Sequence, residues 1–138
     1  MYCIVLFNVL YLFRIRNIKN MEKVESTIAQ MRKGVLEMCV LAAIEGQEAY
    51  ASDILERLKL AHLIVVEGTL YPILTRLKNE GFLSYRLEES LSGPPRKYFC
   101  LTPGGLDFLK ELKTGWADLV GAVNRTISYN NNDSELPK

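Results

Sequence analysis

The sequence holds few of the residues from which metal sites and disulfide frameworks are built. Its 138 residues include one histidine, His62, and three cysteines, Cys3, Cys39 and Cys100. Structural zinc sites need cysteine and histidine ligands at short spacings, and no CxxC pair or Cys/His cluster is present. We therefore expect no metal site and no disulfide framework. We expect the three thiols to be free in a reducing cytoplasm.

Motifs of enzyme chemistry and an excess of positive charge are also missing. The sequence contains no Ser/His/Asp set, no nucleophile elbow and no phosphate-binding loop. We therefore expect that the protein is not an enzyme and that it carries no cofactor. Its 17 basic and 16 acidic residues leave a formal net charge of +1, so overall charge gives no support for nucleic-acid binding. Any DNA-binding surface has to come from the local placement of basic residues.

The first 20 residues differ in character from the rest of the chain. Residues 2–13 are apolar except for one asparagine, and three basic residues follow them. The run is shorter than the roughly 20 apolar residues of a spanning helix, and it lacks the flanks of a signal peptide. We expect residues 1–20 to be an extension from a mis-assigned start. The alternative is a peripheral helix at a membrane interface, and no membrane contact is expected for residues 21–138.

Apolar periodicity predicts three helices, a hairpin and a fourth helix within one domain of ordinary globular composition. The predicted bounds are about Thr27–Glu45, Ala51–Leu60 and Gly68–Glu80 for the first three helices, Phe82–Leu87 and Arg96–Leu101 for the strands, and Leu106–Ile127 for the fourth helix. Two helices joined by a short linker and followed by a hairpin form a winged helix-turn-helix. The predicted fold is thus mainly α with a small β hairpin: a winged helix-turn-helix domain over residues 21–102, a dimerisation helix over 103–127 and a disordered tail over 128–138.

The fourth predicted helix carries an apolar stripe that one small domain cannot cover. A helix of this length extends about 33 Å, and an exposed stripe would favour aggregation. A two-fold partner that uses the same helix would bury it, with help from the first helix. The residues expected at this dimer or effector interface are Met31, Val35, Leu112, Trp116, Leu119, Val120, Val123 and Ile127.

Three segments carry a resemblance to a known family. These are MRKGVLEMCVLAAI at 31–44, GTLYPILTRLKNEGFLS at 68–84 and SGPPRKYFCLTPGG at 92–105. Together they resemble the PadR family of transcriptional regulators, and the resemblance extends over about residues 26–127. It implies a dimeric DNA-binding regulator, usually a repressor, of the small type with a single C-terminal dimerisation helix. The chain departs from the family pattern at Pro103-Gly104-Gly105, where an acidic residue is common.

The third helix is the expected recognition helix, because an α-helix fits the major groove of DNA. The residues that lie off its inner face are Thr69, Tyr71, Pro72, Thr75, Arg76 and Lys78. Read without the resemblance, Arg76 and Lys78 are equally compatible with a solvated helix face, and Tyr71 with a core position. From Glu67 to Leu101 the chain has five basic and four acidic residues, so we expect few phosphate contacts per subunit.

The wing is the second expected DNA contact. Arg96 and Lys97 follow two prolines that stiffen the turn, and we place these two cations at the wing tip, where they can hold phosphates or enter the minor groove. A solvated turn is the alternative. Ser52 and Arg32, near the ends of the second and first helices, are further candidate phosphate contacts.

Trp116 is the only tryptophan. The resemblance implies a possible role in effector binding, since some relatives stack flat aromatic ligands on a tryptophan at the matching position. The alternative is an anchor of the dimer interface. The rival to a DNA-binding regulator is a winged-helix module that binds proteins without any DNA function. For the regulator, the partners are double-stranded DNA, a second copy and a small aromatic or hydrophobic effector, and the site of action is the cytoplasm.

Overall fold

The structure is a computed structural model that describes the backbone of residues 2–132 and the side chains of residues 10–129. The elements in chain order are α1 (Tyr2–Ile44), α2 (Ala51–Leu60), α3 (Glu67–Asn79), β1 (Leu83–Ser90), β2 (Gly93–Leu101) and α4 (Pro103–Asn132). This order confirms the predicted fold class, mainly α with one antiparallel hairpin. Within residues 2–132, none of the helices combines enough length and apolar character to cross a membrane.

Two helices are longer than the prediction by more than one turn. The α1 helix begins at Tyr2 rather than near Thr27, because the Thr27 hydroxyl donates to the Lys23 carbonyl at 2.8 Å and so does not cap a helix start. The α4 helix continues to Asn132. The prediction of disorder was therefore wrong for residues 128–132, and its remainder, residues 133–138, lies outside the described residues.

The chain divides into two compact units, residues 1–37 and residues 38–138. The first consists of the N-terminal part of α1. The second holds the hydrophobic core, to which every remaining element contributes. Its buried side chains are those of Val40, Leu41, Ile44, Ala49, Ala51, Ile54, Leu58, Leu70, Leu74, Leu77, Leu83, Phe99 and Leu109. The helical period places Leu70, Ile73, Leu74 and Leu77 on the inner face of α3. The three leucines among them are buried.

The connection between α2 and α3 is a tight C-terminal cap. The backbone N–H of His62 donates to the Lys59 carbonyl at 2.9 Å, and that of Leu63 donates to the Leu58 carbonyl at 2.8 Å. This pair of bonds is the Schellman pattern, whose central residue adopts a left-handed backbone. Here that residue is His62, with φ of 59°. The sharp reversal sets the angle at which α3 follows α2.

The segment before α2 is fastened to the hairpin. Ala49 forms an isolated antiparallel bridge with Phe99 of β2, with N–H to carbonyl distances of 2.9 and 2.8 Å in the two directions. The hairpin therefore gains a short third partner on the side of β2 away from β1. As a result, the N-terminus of α2 is held directly against the wing.

The start of α4 depends on a close approach of two backbones. Thr102 accepts a hydrogen bond from the Gly105 N–H at 3.0 Å and donates one to the Gly81 carbonyl at 2.6 Å. A Cβ atom on Gly105 would lie 2.0 Å from the carbonyl oxygen of Phe82. Any side chain at position 105 would therefore collide with the backbone of Phe82, so α4 can begin in this way only with glycine at that position.

Candidate nucleic-acid interface

The predicted recognition residues lie on the outer face of α3. The side chains of Thr69, Tyr71, Pro72, Thr75, Arg76 and Lys78 are all exposed. Tyr71 retains 44% of its accessible surface, so the structure does not place it in the core. Pro72 lies inside α3, beyond its first turn, and the helix continues on both sides of it. Along the same face runs an open depression that extends from Tyr71 to Glu80.

A groove joins α3 to the wing. It has a volume of about 180 Å³, and its lining residues are Tyr71, Leu74, Thr75, Lys78, Asn79, Tyr85, Lys97 and Phe99. Lys78 comes from α3 and Lys97 from β2, so the groove brings together one predicted cation from each of the two elements. Its floor is apolar and its rim carries two ammonium groups and two tyrosines. Such a groove can accept an extended anionic group between helix and hairpin.

The wing differs in detail from the prediction. Its tip is formed by Leu91 and Ser92, because the strands extend to Ser90 and from Gly93. Arg96 pairs with Glu88 in the strand register and Lys97 with Leu87, so both cations lie along β2 rather than at the tip. The prediction assumed that the two prolines form the turn, whereas they lie inside β2, next to a register shift that accommodates them.

Arg96 and Lys97 are adjacent in a strand, and their side chains therefore point to opposite faces of the hairpin. The Lys97 Nζ atom lies 4.8 Å from the centroid of the Tyr85 ring, and the Arg96 guanidinium carbon lies 5.5 Å from the centroid of the Tyr50 ring. Each cation thus rests on its own tyrosine. Within the described part of the chain, no carboxylate forms an ion pair with either side chain.

Arg86 was not among the predicted site residues, and in the structure two carboxylates offset its charge. Its Nε atom lies 2.6 Å from Glu48 and its NH1 atom 2.7 Å from Glu88, while its guanidinium stacks 4.7 Å from the Tyr98 ring. The hydrogen bonds to Glu88 and then Glu48 raise the pKa of Arg86. With two carboxylates beside it, Arg86 adds little to the positive potential of the wing.

Tyr50 and Tyr85 are site residues that sequence reasoning missed. The Tyr50 ring centroid lies 6.0 Å from that of Tyr98, and the Tyr85 ring lies 5.9 Å from Phe99. The available signal was the position of Tyr50, directly before the first helix of a helix-turn-helix. The contact between Tyr85 and Phe99 depends on the register of the two strands, which the spacing of residues along the sequence does not reveal.

The hydroxyl of Tyr71 is held in its neutral form. Partial burial raises its pKa above the ordinary value, and the neighbouring Tyr50 and Glu67 side chains add to the shift. A neutral phenol keeps its O–H donor at physiological pH. Tyr71 is therefore suited to donate a hydrogen bond to a phosphate or a base edge.

The two remaining candidate phosphate contacts are both exposed. Ser52 lies in the first turn of α2, with its hydroxyl 3.5 Å from the Asp53 carboxylate. Arg32 is exposed on α1 within the unit formed by residues 1–37. The role of Arg32 stays a prediction.

The apolar stripe of α4 is largely exposed in the single chain. The exposed fractions are 43% for Trp116, 55% for Leu119, 45% for Val123 and 61% for Ile127, and Leu112 and Val120 are half-buried. On α1, Met31 is 67% exposed and Val35 is half-buried. All eight residues predicted for the dimer or effector interface thus keep surface that a partner can cover.

The cysteines show no sign of a cooperative site. Cys39 and Cys100 are free, and Cys3 lies outside the residues with described side chains. Burial raises the pKa of the Cys39 thiol, which lowers its reactivity. Among the described residues, no group of three or more His, Cys, Asp or Glu side chains is placed to hold a metal ion.

Comparisons with known proteins identify what the chain is similar to. Residues 40–111 match the model of the transcriptional regulator PadR-like family. A PadR-like transcription factor from Bacteroides fragilis is 54% identical, with 73% of this chain and 98% of that chain covered and a TM-score of 0.63. A PadR-like transcriptional regulator from Bacillus cereus is 37% identical, with coverage of 71% and 96% and a TM-score of 0.62.

One similar structure contains DNA. Bacillus subtilis PadR in complex with operator DNA is 26% identical, with 56% of this chain and 45% of that chain covered and a TM-score of 0.52. No curated protein matches the chain significantly.

Proposed function

Because this chain belongs to the PadR-like family of transcriptional regulators, we propose that it binds operator DNA as a homodimer and represses transcription in the cytoplasm. The family is one of transcription factors and not of enzymes. The observation that carries the proposal is the groove between α3 and the wing, with Lys78 on one wall and Lys97 on the other. Two cations from separate elements around one groove provide a place where a phosphate can be held between helix and wing.

In this proposal α3 enters the major groove. Thr69, Tyr71 and Thr75 supply hydroxyls, Pro72 makes apolar contact, and Arg76 reaches a guanine or a phosphate. Lys78 and Lys97 hold one phosphate of the backbone between helix and wing. Arg96, on the other face of the hairpin, approaches the minor groove. Ser52 and Arg32 add peripheral phosphate contacts.

In the proposed homodimer, a second copy of the chain covers the apolar stripe of α4. Leucine, valine and tryptophan side chains at 43–61% exposure along three turns are an apolar surface that a soluble monomer rarely keeps. A two-fold axis through this stripe is the simplest closed arrangement. It would place two recognition helices about 34 Å apart, one turn of DNA, and we therefore propose a pseudo-palindromic operator.

We also propose that the dimer is released from DNA by a small flat aromatic or hydrophobic effector. Trp116 supports this, because its ring remains 43% exposed in the middle of the apolar stripe. The effector has to bind the DNA-competent and DNA-incompetent dimers with different affinities. Quenching of Trp116 fluorescence by candidate ligands, followed by loss of DNA binding at the same concentrations, tests this part.

The groove is tested by removal of its charges. The double variant Lys78→Gln/Lys97→Gln should bind operator DNA at least about tenfold more weakly than the wild type, and its salt slope should fall by roughly 1 to 2. The matched control is Lys59→Gln/Lys110→Gln, which removes the same charge from exposed positions outside the groove. Equal losses in both variants would contradict a phosphate site in the groove. Unchanged operator binding in both would place the phosphate contacts outside the groove, and absence of operator binding by the wild type would support the protein-interaction module instead.

A further inference from the structure

Tyr50 lies where the two DNA-binding elements of the proposed function meet. Its backbone is fixed on both sides, since Ala49 bridges to Phe99 of the hairpin and the Tyr50 N–H donates to the Asp53 carboxylate at 2.9 Å. Its side chain is half-buried. The ring therefore has a defined position, directly before α2 and next to both α3 and the wing.

Two contacts connect Tyr50 to predicted DNA-binding residues. The guanidinium carbon of Arg96 lies 5.5 Å from the ring centroid, within the range of a cation–π interaction. The Tyr50 side chain also neighbours Tyr71 of α3, whose pKa it helps to raise. The neighbouring Tyr98 ring, at 6.0 Å, supports the Tyr50 ring from the side of the hairpin.

We infer that Tyr50 is a positioning residue that holds Arg96 of the wing through its ring. An arginine on an exposed strand samples many rotamers, and ordering it on binding costs affinity. A ring beneath the guanidinium limits those rotamers before DNA arrives. The inference rests on the proposed function, and it adds a residue that acts through others and contacts no DNA itself.

The hydroxyl and the ring of Tyr50 can be removed separately. Tyr50→Phe removes the hydroxyl and keeps the ring, whereas Tyr50→Leu removes both and keeps an apolar side chain. The step from Phe to Leu therefore isolates the ring, and the step from Tyr to Phe isolates the hydroxyl. Each variant is compared by operator binding in fluorescence anisotropy, and its thermal unfolding is measured in parallel.

The ring is tested against Arg96 in a double-mutant cycle. The step from Phe to Leu at position 50 should weaken operator binding about two- to fivefold when Arg96 is present, the range of an exposed cation–π contact. In the Arg96→Gln background the same step should change binding little. A loss of equal size in both backgrounds would mean that the ring acts only through the fold, and it would overturn the inference.

The hydroxyl provides the control, because the inference rests on the ring. Tyr50→Phe keeps the ring beneath Arg96 and should bind operator DNA nearly as well as the wild type. A purely structural role of the ring would lower the unfolding temperature without any dependence on the residue at position 96. Specific operator binding by the wild type together with an additive cycle would overturn the inference alone. Absence of specific binding by the wild type would overturn the proposed function and the inference with it.

Discussion

Replacement of Gly105 by alanine should destabilise the protein, although alanine is the better helix former. In the interior of a helix, alanine is favoured over glycine by about 1 kcal/mol. At this position the new Cβ would lie 2.0 Å from the Phe82 carbonyl oxygen and 2.9 Å from its carbon. These are backbone atoms, so relief requires a shift of α4 away from the turn before β1. Overpacking of this kind costs about 1–3 kcal/mol.

The magnitude follows from the balance of these effects and from the cap. A shift of α4 also stretches the 3.0 Å bond from Gly105 to Thr102, and loss of a capping bond costs about 1 kcal/mol. We therefore expect a net destabilisation of about 1–3 kcal/mol for Gly105→Ala. For a chain of this length each kcal/mol corresponds to roughly 3–5 °C in Tm.

The neighbouring glycine provides a matched control. A Cβ on Gly104 would meet only the Thr102 hydroxyl, at 3.8 Å, an ordinary contact. Gly104→Ala should therefore be neutral or raise stability by up to about 1 kcal/mol. Both variants are compared by urea unfolding at one protein concentration, because association changes apparent stability. Equal stability of the two variants would refute the close approach of α4 to Phe82.

Two further predictions concern the helix-turn-helix connection and the dimer. His62→Gly should raise the free energy of unfolding in urea by up to about 1 kcal/mol, because glycine adopts the left-handed φ of 59° without the penalty of a side chain. A destabilised variant would contradict the idea that the backbone of His62 is strained. Leu119→Glu, at a position 55% exposed on the stripe, should convert the dimer to a monomer in sedimentation velocity. Thr114→Glu, which places the same charge on the opposite face of α4, should leave the dimer intact. If the Leu119→Glu variant still forms a dimer, the stripe is not the interface.

Helix periodicity was sufficient to predict α2 and α3. The predicted bounds Ala51–Leu60 agree with the structure, and those of α3 differ by one residue at each end. The reason is that these helices are short and amphipathic and are bounded by terminators. Gly46 and Gly81, two residues after the ends of α1 and α3, adopt φ of 81° and 85°, a conformation that favours glycine at a helix end.

The helix ends that were missed lack such a signal. Thr27 has the chemistry of a cap, but its hydroxyl also satisfies an i−4 carbonyl inside a continuous helix. Sequence alone does not distinguish these two uses of a threonine. The polar residues after Ile127 have low helix propensity, yet α4 continues over them to Asn132 because propensity is a weak determinant beside the context of a long helix.

The site was predictable where it depends on one element and unpredictable where it depends on several. The exposed face of α3 follows from its period, and all six of its candidate residues are exposed. The wing required knowledge of strand register, since two prolines were assumed to form the turn and lie in β2 instead. Tyr50 became a site residue only through contacts with the hairpin and α3, which linear sequence does not record.

The central claim is specific DNA binding, and one titration tests it most directly. Full-length protein is titrated by fluorescence anisotropy onto labelled DNA from the region upstream of its own gene and onto a scrambled duplex of the same composition, at two salt concentrations. The account predicts a preference of about 10³-fold or more for one upstream segment, with a modest salt slope because few phosphates are contacted. Equal binding to both duplexes, together with failure of random-sequence selection to enrich any site, would contradict it.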